Sequence, residues 1–157
     1  MTEEQLLDLR RALGKFATGV TVVTCRGSAG PCGITANSFS SVSLEPALVL
    51  WSIAKVSNSL RAYLDAQHFA INVLSAQQRA VAHHFAQSDH TLFNGIDYET
   101  SAEGVPLIPG SVACFECRTH QVHDCGDHYI IIGEVQKYCG NGGAPLLFYN
   151  GQYNQIS

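Results

Sequence analysis

The sequence predicts a mainly β protein, an antiparallel β-barrel or sandwich with peripheral helices, organised as one domain over residues 1–157. Three observations predict it. Apolar and β-branched runs recur along the chain with turn residues between most of them. The two longest, "SVACFECRTHQVHDC" and "HYIIIGEVQKYC", are separated by Gly126 and Asp127 alone, which reads as a hairpin. Helical periodicity is confined to three short segments.

The elements follow in order. Thr2 to Phe16 reads as a helix, with Thr2 and Gln5 in a capping-box pattern and Leu6, Leu9, Leu13 and Phe16 along one face. "GVTVVTC" is a strand, "GSAGP" a turn, and "CGITANSF" resumes an extended run. "PALVLWSI" is a fully apolar strand, and "SNSLRAYLDA" a short helix capped by Ser57 or Asn58. "HFAINVL" is a strand, and "SAQQRAVAHHFA" a helix with a second capping box at Ser75 and Gln78. Gln87 to Gly110 reads as a long loop, and long loops in compact domains are often functional. After the hairpin, "NGGAP" turns the chain into a last strand, "LLFYNGQY", in which Tyr149 and Tyr153, four apart, share a face.

Composition excludes several classes. The net charge of -4 leaves no basic footprint for nucleic acid or an anionic membrane. No apolar run approaches the roughly 20 residues of a membrane span. "MTEEQLLDLRR" is acidic and amphipathic, unlike a secretory leader, so the six cysteines read as reduced thiols in the cytoplasm. Charged residues make up 14%, against about 25% in an average soluble domain. A domain with so few charges has either a neutral polar surface or a surface partly buried against a partner, and a homodimer is the expectation.

Two segments carry candidate chemistry. In "ITANSFSSVS" six of ten residues (Thr35, Asn37, Ser38, Ser40, Ser41, Ser43) bear a hydroxyl or amide between apolar strands. Such a row is either a polar loop or a set of neutral donors and acceptors suited to a heteroaromatic ring in an apolar cleft. In "WSIAKVSNS", Lys55 follows an apolar strand and precedes Ser57, Asn58 and Ser59 at a predicted helix start. A lysine, hydroxyls and free backbone N–H groups suit a phosphate, although a solvent lysine beside a cap looks the same. Together the segments suggest a polar ring system ending in phosphate.

The order "FATGVTVVT", "GITANSFSSVSLEPALVLWSI", "KVSNS", "FAINVLS", "HHFA", "GDHYIIIGEV" and "PLLFYNGQY" closely resembles the flavin reductase-like family. These are short-chain NAD(P)H:flavin oxidoreductases, many of them reductase components of two-component flavin-dependent monooxygenases. The resemblance runs from about Leu9 to Tyr153. It implies a split β-barrel that binds FMN or FAD near a homodimer interface, with NADH or NADPH as hydride donor. It implies that Thr35, Ala36, Asn37 and Ser38 line the isoalloxazine, where donors stabilise the charge of the reduced ring. It also implies that Ser52, Lys55, Ser57 and Asn58 hold the ribityl chain and phosphate, with Ser41 and Ser43 as further contacts. Asn58 stands where the family often has Ser or Thr.

"HDCGDH", from His123 to His128, holds four metal-ligating residue types, yet His123 and Cys125 share a strand face while Asp124 points away. The paired spacings of a zinc ribbon are absent, and Cys114 and Cys117 in a strand point to opposite faces. The stretch therefore reads as a turn, with no metal. His128, just past it, matches the family histidine beside the flavin and would position the nicotinamide or supply a proton. His83 and His84 are adjacent on a helix, so at most one faces inward. Arg79, one turn earlier, is in reach of a nucleotide phosphate, and Tyr149 is either core or a stacking platform. No GxGxxG stands at a strand–helix turn, so the nicotinamide has to bind on the flavin itself. Three rival readings remain: a tightly held flavin acting on another substrate, a non-catalytic flavin-binding or redox-sensing module, and a thiol or metal protein.

Overall fold

The computed structural model describes residues 1–87 and 91–156. In chain order its elements are α1 (Glu3–Leu13), β1 (Thr18–Gly19), β2 (Thr21–Gly27), β3 (Gly30–Ala36), β4 (Ser40–Leu44) and β5 (Ala47–Ala54), followed by α2 (Leu60–Asp65) and β6 (His68–Val73). A 3-10 turn (Ala76–Gln78) leads into α3 (Arg79–Ala86), then β7 (Glu99–Thr100), β8 (Pro106–Leu107), β9 (Ala113–Cys125), β10 (His128–Gly140), β11 (Leu146–Tyr149) and β12 (Gln152–Gln155). Seven strands form one antiparallel sheet in the order β3-β2-β6-β9-β10-β5-β4, and β1-β11-β12 form a second.

The β-branched run of β2 explains the layering. Its side chains alternate, so Val23 and Cys25 enter a core with Trp51, Ile53, Phe69, Ile71 and Ile131, while Val22 faces a second core of Leu74, Ala82, Phe85, Ile108 and Leu146. A strand buried on both faces reads as a continuous apolar run rather than an alternating one. Each fully buried Ile, Leu, Val or Phe contributes about 1.5–3 kcal/mol relative to exposure. Among the polar residues in the core is Asn72, fully buried on β6. Its amide donates to the Val22 carbonyl (2.9 Å) and the Thr24 hydroxyl (3.0 Å), and its oxygen accepts from the Ile108 N–H (3.0 Å).

The β9–β10 hairpin turns at Gly126 and Asp127 as the sequence predicts, with Gly126 alone of the pair at positive φ (62°). Both capping boxes are present, at Thr2–Gln5 and Ser75–Gln78.

Four expectations need correction. α1 stops at Leu13, so Phe16 lies beyond it, and Leu6, Leu9, Leu13 and Phe16 are exposed rather than buried in this chain. α2 starts at Leu60, after Ser59 rather than Ser57 or Asn58, because the Ser57 hydroxyl is taken by the Ser59 N–H (3.3 Å). The segment from Gln87 to Gly110 contains the β7–β8 pair, held by Glu99↔Leu107 and Thr100↔Pro106; its residues 88–90 lie outside the described ones. "LLFYNGQY" is two strands, not one. Asn150 (φ 54°) and Gly151 (φ 78°) make a tight turn between β11 and β12, which pairs Tyr149 with Gln152 and Tyr153 with Phe148. Tyr149 and Tyr153 therefore lie on opposite faces of that hairpin.

Candidate functional site

The site is built along β5. Trp51 and Ile53 point into the core with Ile131 and Tyr129 of β10 opposite them, so Ser52 and Ala54, paired with Ile130 and His128, face the other side. Strand β4 accompanies β5 only as far as Ser40↔Leu50. Beyond that point the Ser38 side chain continues the ladder: its hydroxyl accepts from the Ser52 N–H (2.8 Å) and donates to the Ser52 carbonyl (3.3 Å). This clips the Asn37–Phe39 turn to the strand that carries Ser52. Phe39 is fixed further by stacking on Phe115, with centroids 5.6 Å apart.

At the far end of β5 the chain meets the β9–β10 turn. The Lys55 N–H donates to the Asp127 carbonyl (2.9 Å), and Lys55 Nζ lies 2.5 Å from Asp124 Oδ1 and 5.2 Å from the Tyr129 ring centroid. His128 Nδ1 is 2.7 Å from Asp127 Oδ1. The hydrogen bond and positive charge available from His128 hold the Asp127 carboxyl below its ordinary range, and the bond to Asp124 raises the Lys55 ammonium above its own. Lys55 and His128, 73 positions apart (128 minus 55), thus meet at one turn. Ser57 is held beside them by its N–H to the Ala54 carbonyl (3.0 Å), and its hydroxyl is 3.1 Å from that of Ser59. Asn58, exposed, follows in the same turn and has polar contacts of its own.

Asn37, Ser38 and Phe39 line a cleft of about 690 Å³ whose other walls include Arg10, Phe16, Thr18 and Phe148. This size and mix of aromatic and neutral polar walls suit a cofactor-sized ligand. The Thr18 hydroxyl, buried at this wall, has no hydrogen-bond partner among the described residues. Arg10, Phe16, Thr18 and Phe148 were not legible as site residues. Phe16 reads as helix core, and only the pairing of Thr18 with Phe148 across β1 and β11 brings those two together.

The remaining predicted residues are placed as follows. The Thr35 hydroxyl donates to the Ala82 carbonyl (2.6 Å), which ties β3 to α3, and the Ala36 carbonyl accepts from the Thr21 hydroxyl (2.7 Å). A register shift at Val42 pairs Ser41 with Val49 and Ser43 with Leu48, so the two serines point to opposite faces; Ser43 shares the face of Ser52. Arg79 donates to the Tyr153 carbonyl (2.8 Å) and lines a different cleft, sharing no wall residue with that of Asn37. Tyr149 is exposed. His84, half-buried, contacts the Leu92 carbonyl (2.9 Å), whereas His83 faces outward. Among the described residues no His, Cys, Asp and Glu converge as a metal site, and all six cysteines are free thiols.

Residues 13–157 match the sequence model of the flavin reductase like domain. The chain belongs to that family. Within the family it is 49% identical to the NADH-dependent FMN reductase SmoA of Agrobacterium fabrum, over 98% of this chain and 88% of that protein. It is 47% identical to the reductase component of a flavin-dependent trigonelline monooxygenase from Acinetobacter baylyi, over 95% of this chain but 48% of that protein. The chain thus spans about half the length of that second relative. Among solved structures, an NADH:FAD oxidoreductase of Streptomyces globisporus, determined with NAD and FAD fragments, superposes with a TM-score of 0.93 at 40% identity, covering 100% of this chain and 96% of that one. Membership of this family accords with the mainly β, antiparallel architecture. In this chain no described helix is long and apolar enough to cross a membrane.

Proposed function

We propose that this chain is an NAD(P)H-dependent flavin reductase that passes a hydride from NADH or NADPH to FMN or FAD and supplies reduced flavin to a monooxygenase component. The observation that carries this reading is the Ser38–Ser52 clip, which ties the Asn37 turn, one wall of an aromatic cleft, to strand β5, past whose end Lys55 meets the turn that carries His128. The relatives' reductase activities support it.

The residues present fit a flavin mononucleotide moiety. Asn37 and the backbone of the Thr35–Ser38 segment offer neutral donors for a pyrimidine edge, the unpartnered Thr18 hydroxyl adds one more, and Phe16, Phe39 and Phe148 offer apolar walls. Lys55, Ser57, Asn58 and Ser52 would hold the ribityl phosphate, while Ser41, Ser43, Arg79 and Tyr149 are secondary contacts. Bound flavin would supply the two-electron acceptor. The chain's own residues would bind, orient and exclude water: His128, whose Nδ1 is held by Asp127, would have its Nε2 left for the nicotinamide. Backbone N–H groups near Asn37 would stabilise negative charge on the reduced ring without reorganising.

The full assembly in this reading is a cytoplasmic homodimer of single-domain split barrels. The exposed Leu6, Leu9, Leu13 and Phe16 of the N-terminal segment, together with the low charge content, support burial against a second copy. The test is NADH and NADPH oxidation by apo-protein with added FMN or FAD. The expected result is turnover that saturates in flavin; absence of both flavin binding and nicotinamide oxidation overturns the reading.

A further inference from the structure

Cys25 on β2 and Cys32 on β3 sit directly opposite each other in the antiparallel ladder, with their sulfurs 4.0 Å apart. Directly paired Cα atoms lie about 4.5–5.5 Å apart, inside the range of about 4.4–6.8 Å that a disulfide spans. Side-chain rotation can therefore bring the sulfurs to a bond of about 2.05 Å without moving the strands. Both thiols are buried, beside Tyr63, whose hydroxyl is committed to the Val23 carbonyl (2.6 Å). Nothing in the proposed hydride transfer uses them.

The pair is asymmetric in two respects. Cys25 donates its S–H to Cys32, which stabilises a thiolate at Cys32 and holds its pKa below the ordinary thiol range, while the same bond pushes Cys25 up. Cys32, not Cys25, also borders a cleft of about 350 Å³ walled by Arg26, Ser28, Asn58 and Arg61. On the outer side of β3 the Thr91–Leu92 segment is held by the Gly33 N–H to the Thr91 carbonyl (2.7 Å), by a bridge between Cys32 and Leu92, and by His84 at the Leu92 carbonyl (2.9 Å). The cleft at Cys32 is the side from which a small solute reaches the pair.

We propose that Cys25 and Cys32 form a thiol–disulfide site that takes hydrogen peroxide as its oxidant. The Cys32 thiolate attacks one peroxide oxygen and the O–O bond breaks, giving a sulfenic acid and hydroxide. Cys25 sulfur then displaces the sulfenic oxygen to form the S–S bond, and its proton leaves in water. The balance is two thiols and one peroxide to one disulfide and two waters. The source of peroxide rests on the proposed function, because reduced flavin released into aerated solution gives up two electrons to oxygen and yields it. The site would then sense reductase turnover that is not coupled to a partner oxygenase, on the hairpin that leads directly into Thr35–Ser38.

The test is intact and peptide mass on purified full-length protein treated with hydrogen peroxide. Trypsin cuts after Arg26, between the two cysteines, so the disulfide joins peptides 16–26 and 27–55. The expected product is 2 Da lighter, contains that joined peptide and reverts with dithiothreitol. The triple variant Cys114→Ser, Cys125→Ser, Cys139→Ser retains it and Cys32→Ser loses it. No joined peptide in the wild-type protein, stable oxygen addition at Cys32, or a Cys114–Cys139 link in its place overturns the proposal. A second arm replaces peroxide with NADH, FMN and air, with and without catalase. If peroxide forms the disulfide but NADH is not oxidised in this arm, the flavin reductase reading has failed and the thiol site stands.

Discussion

Asp124 Oδ1 lies 2.5 Å from Lys55 Nζ, so the lysine best placed for a ligand phosphate is already paired with a carboxylate of the β9–β10 hairpin. The Lys55 side chain is 34% exposed and Asp124 67%, which makes this a solvated pair of small net strength that an incoming dianion can displace. The pair holds the ammonium at the turn where His128 stands, in register with Ala54, one residue before Lys55.

Removing each partner therefore has opposite effects on flavin affinity. Lys55→Ala deletes a charge-assisted contact to phosphate and should weaken FMN binding about tenfold or more. Asp124→Ala removes the competitor and a like charge, and should tighten FMN binding about two- to fivefold at low salt. Turnover at saturating flavin should change little in either variant, since the phosphate is remote from the reacting ring. Fluorescence titration of apo-protein measures both. Equal weakening by the two substitutions would mean that the pair serves only to hold the hairpin.

His128 separates turnover from flavin binding. His128→Ala should raise the NADH KM or slow flavin reduction in stopped flow while leaving FMN affinity within about twofold. Asp127→Asn should act in the same direction and more weakly, because it retains an oxygen near Nδ1 but loses the charge. The hairpin should persist in both, since Gly126 carries the positive φ. Loss of FMN binding in His128→Ala with an unchanged reduction rate would place this residue on the flavin instead.

Much of this was readable from residues alone. The β-branched and apolar runs marked the strands and Gly126-Asp127 the long hairpin, while of the polar row from Thr35 to Ser43 the cleft takes Asn37, Ser38 and Ser40 but not Thr35, Ser41 or Ser43. What failed did so where a local signal was outweighed. Asn150-Gly151 is the strongest short hairpin signal in the chain, yet the apolar residues before it suggested one continuous strand, and the two tyrosines were assigned to one face. The periodicity of α1 correctly showed an apolar stripe, but periodicity cannot say whether the stripe meets this chain or another. Thr35 and Ser38 have hydroxyls suited to a ligand, while the fold uses both to bond backbone carbonyls. Arg10, Phe16 and Phe148 come to the cleft from distant segments, and no spacing in the sequence announces that.

The apolar stripe gives the assembly prediction. Leu13 is 65% and Phe16 78% exposed in the single chain, adjoining the cleft of Asn37. Light scattering at micromolar concentration should give twice 16.9 kDa. The double variant Leu13→Glu, Phe16→Glu should shift the mass toward the monomer. A wild-type mass of one chain would refute burial between subunits.

The last prediction concerns stability and rests on Asn72. This side chain is fully buried, and its three close partners belong to two segments: Val22 and Thr24 on β2, and Ile108 in the stretch after β8. Its carboxamide thereby holds the Pro106–Ile108 stretch against the two central strands. Asn72→Ala leaves the Ile108 N–H without its acceptor in the core, which costs about 1–3 kcal/mol. It also opens a small polar cavity that a water fills only in part. Asn72→Leu keeps the volume but strands the same donor, so it should be no better, whereas an ordinary buried packing site would tolerate the leucine. Urea unfolding of both variants should show a lower midpoint with an unchanged slope. The exposed substitution His120→Ala should stay within about 0.5 kcal/mol of wild type. If Asn72→Leu proved as stable as the wild-type protein, the hydrogen bonds to Val22, Thr24 and Ile108 would not be what secures this part of the core.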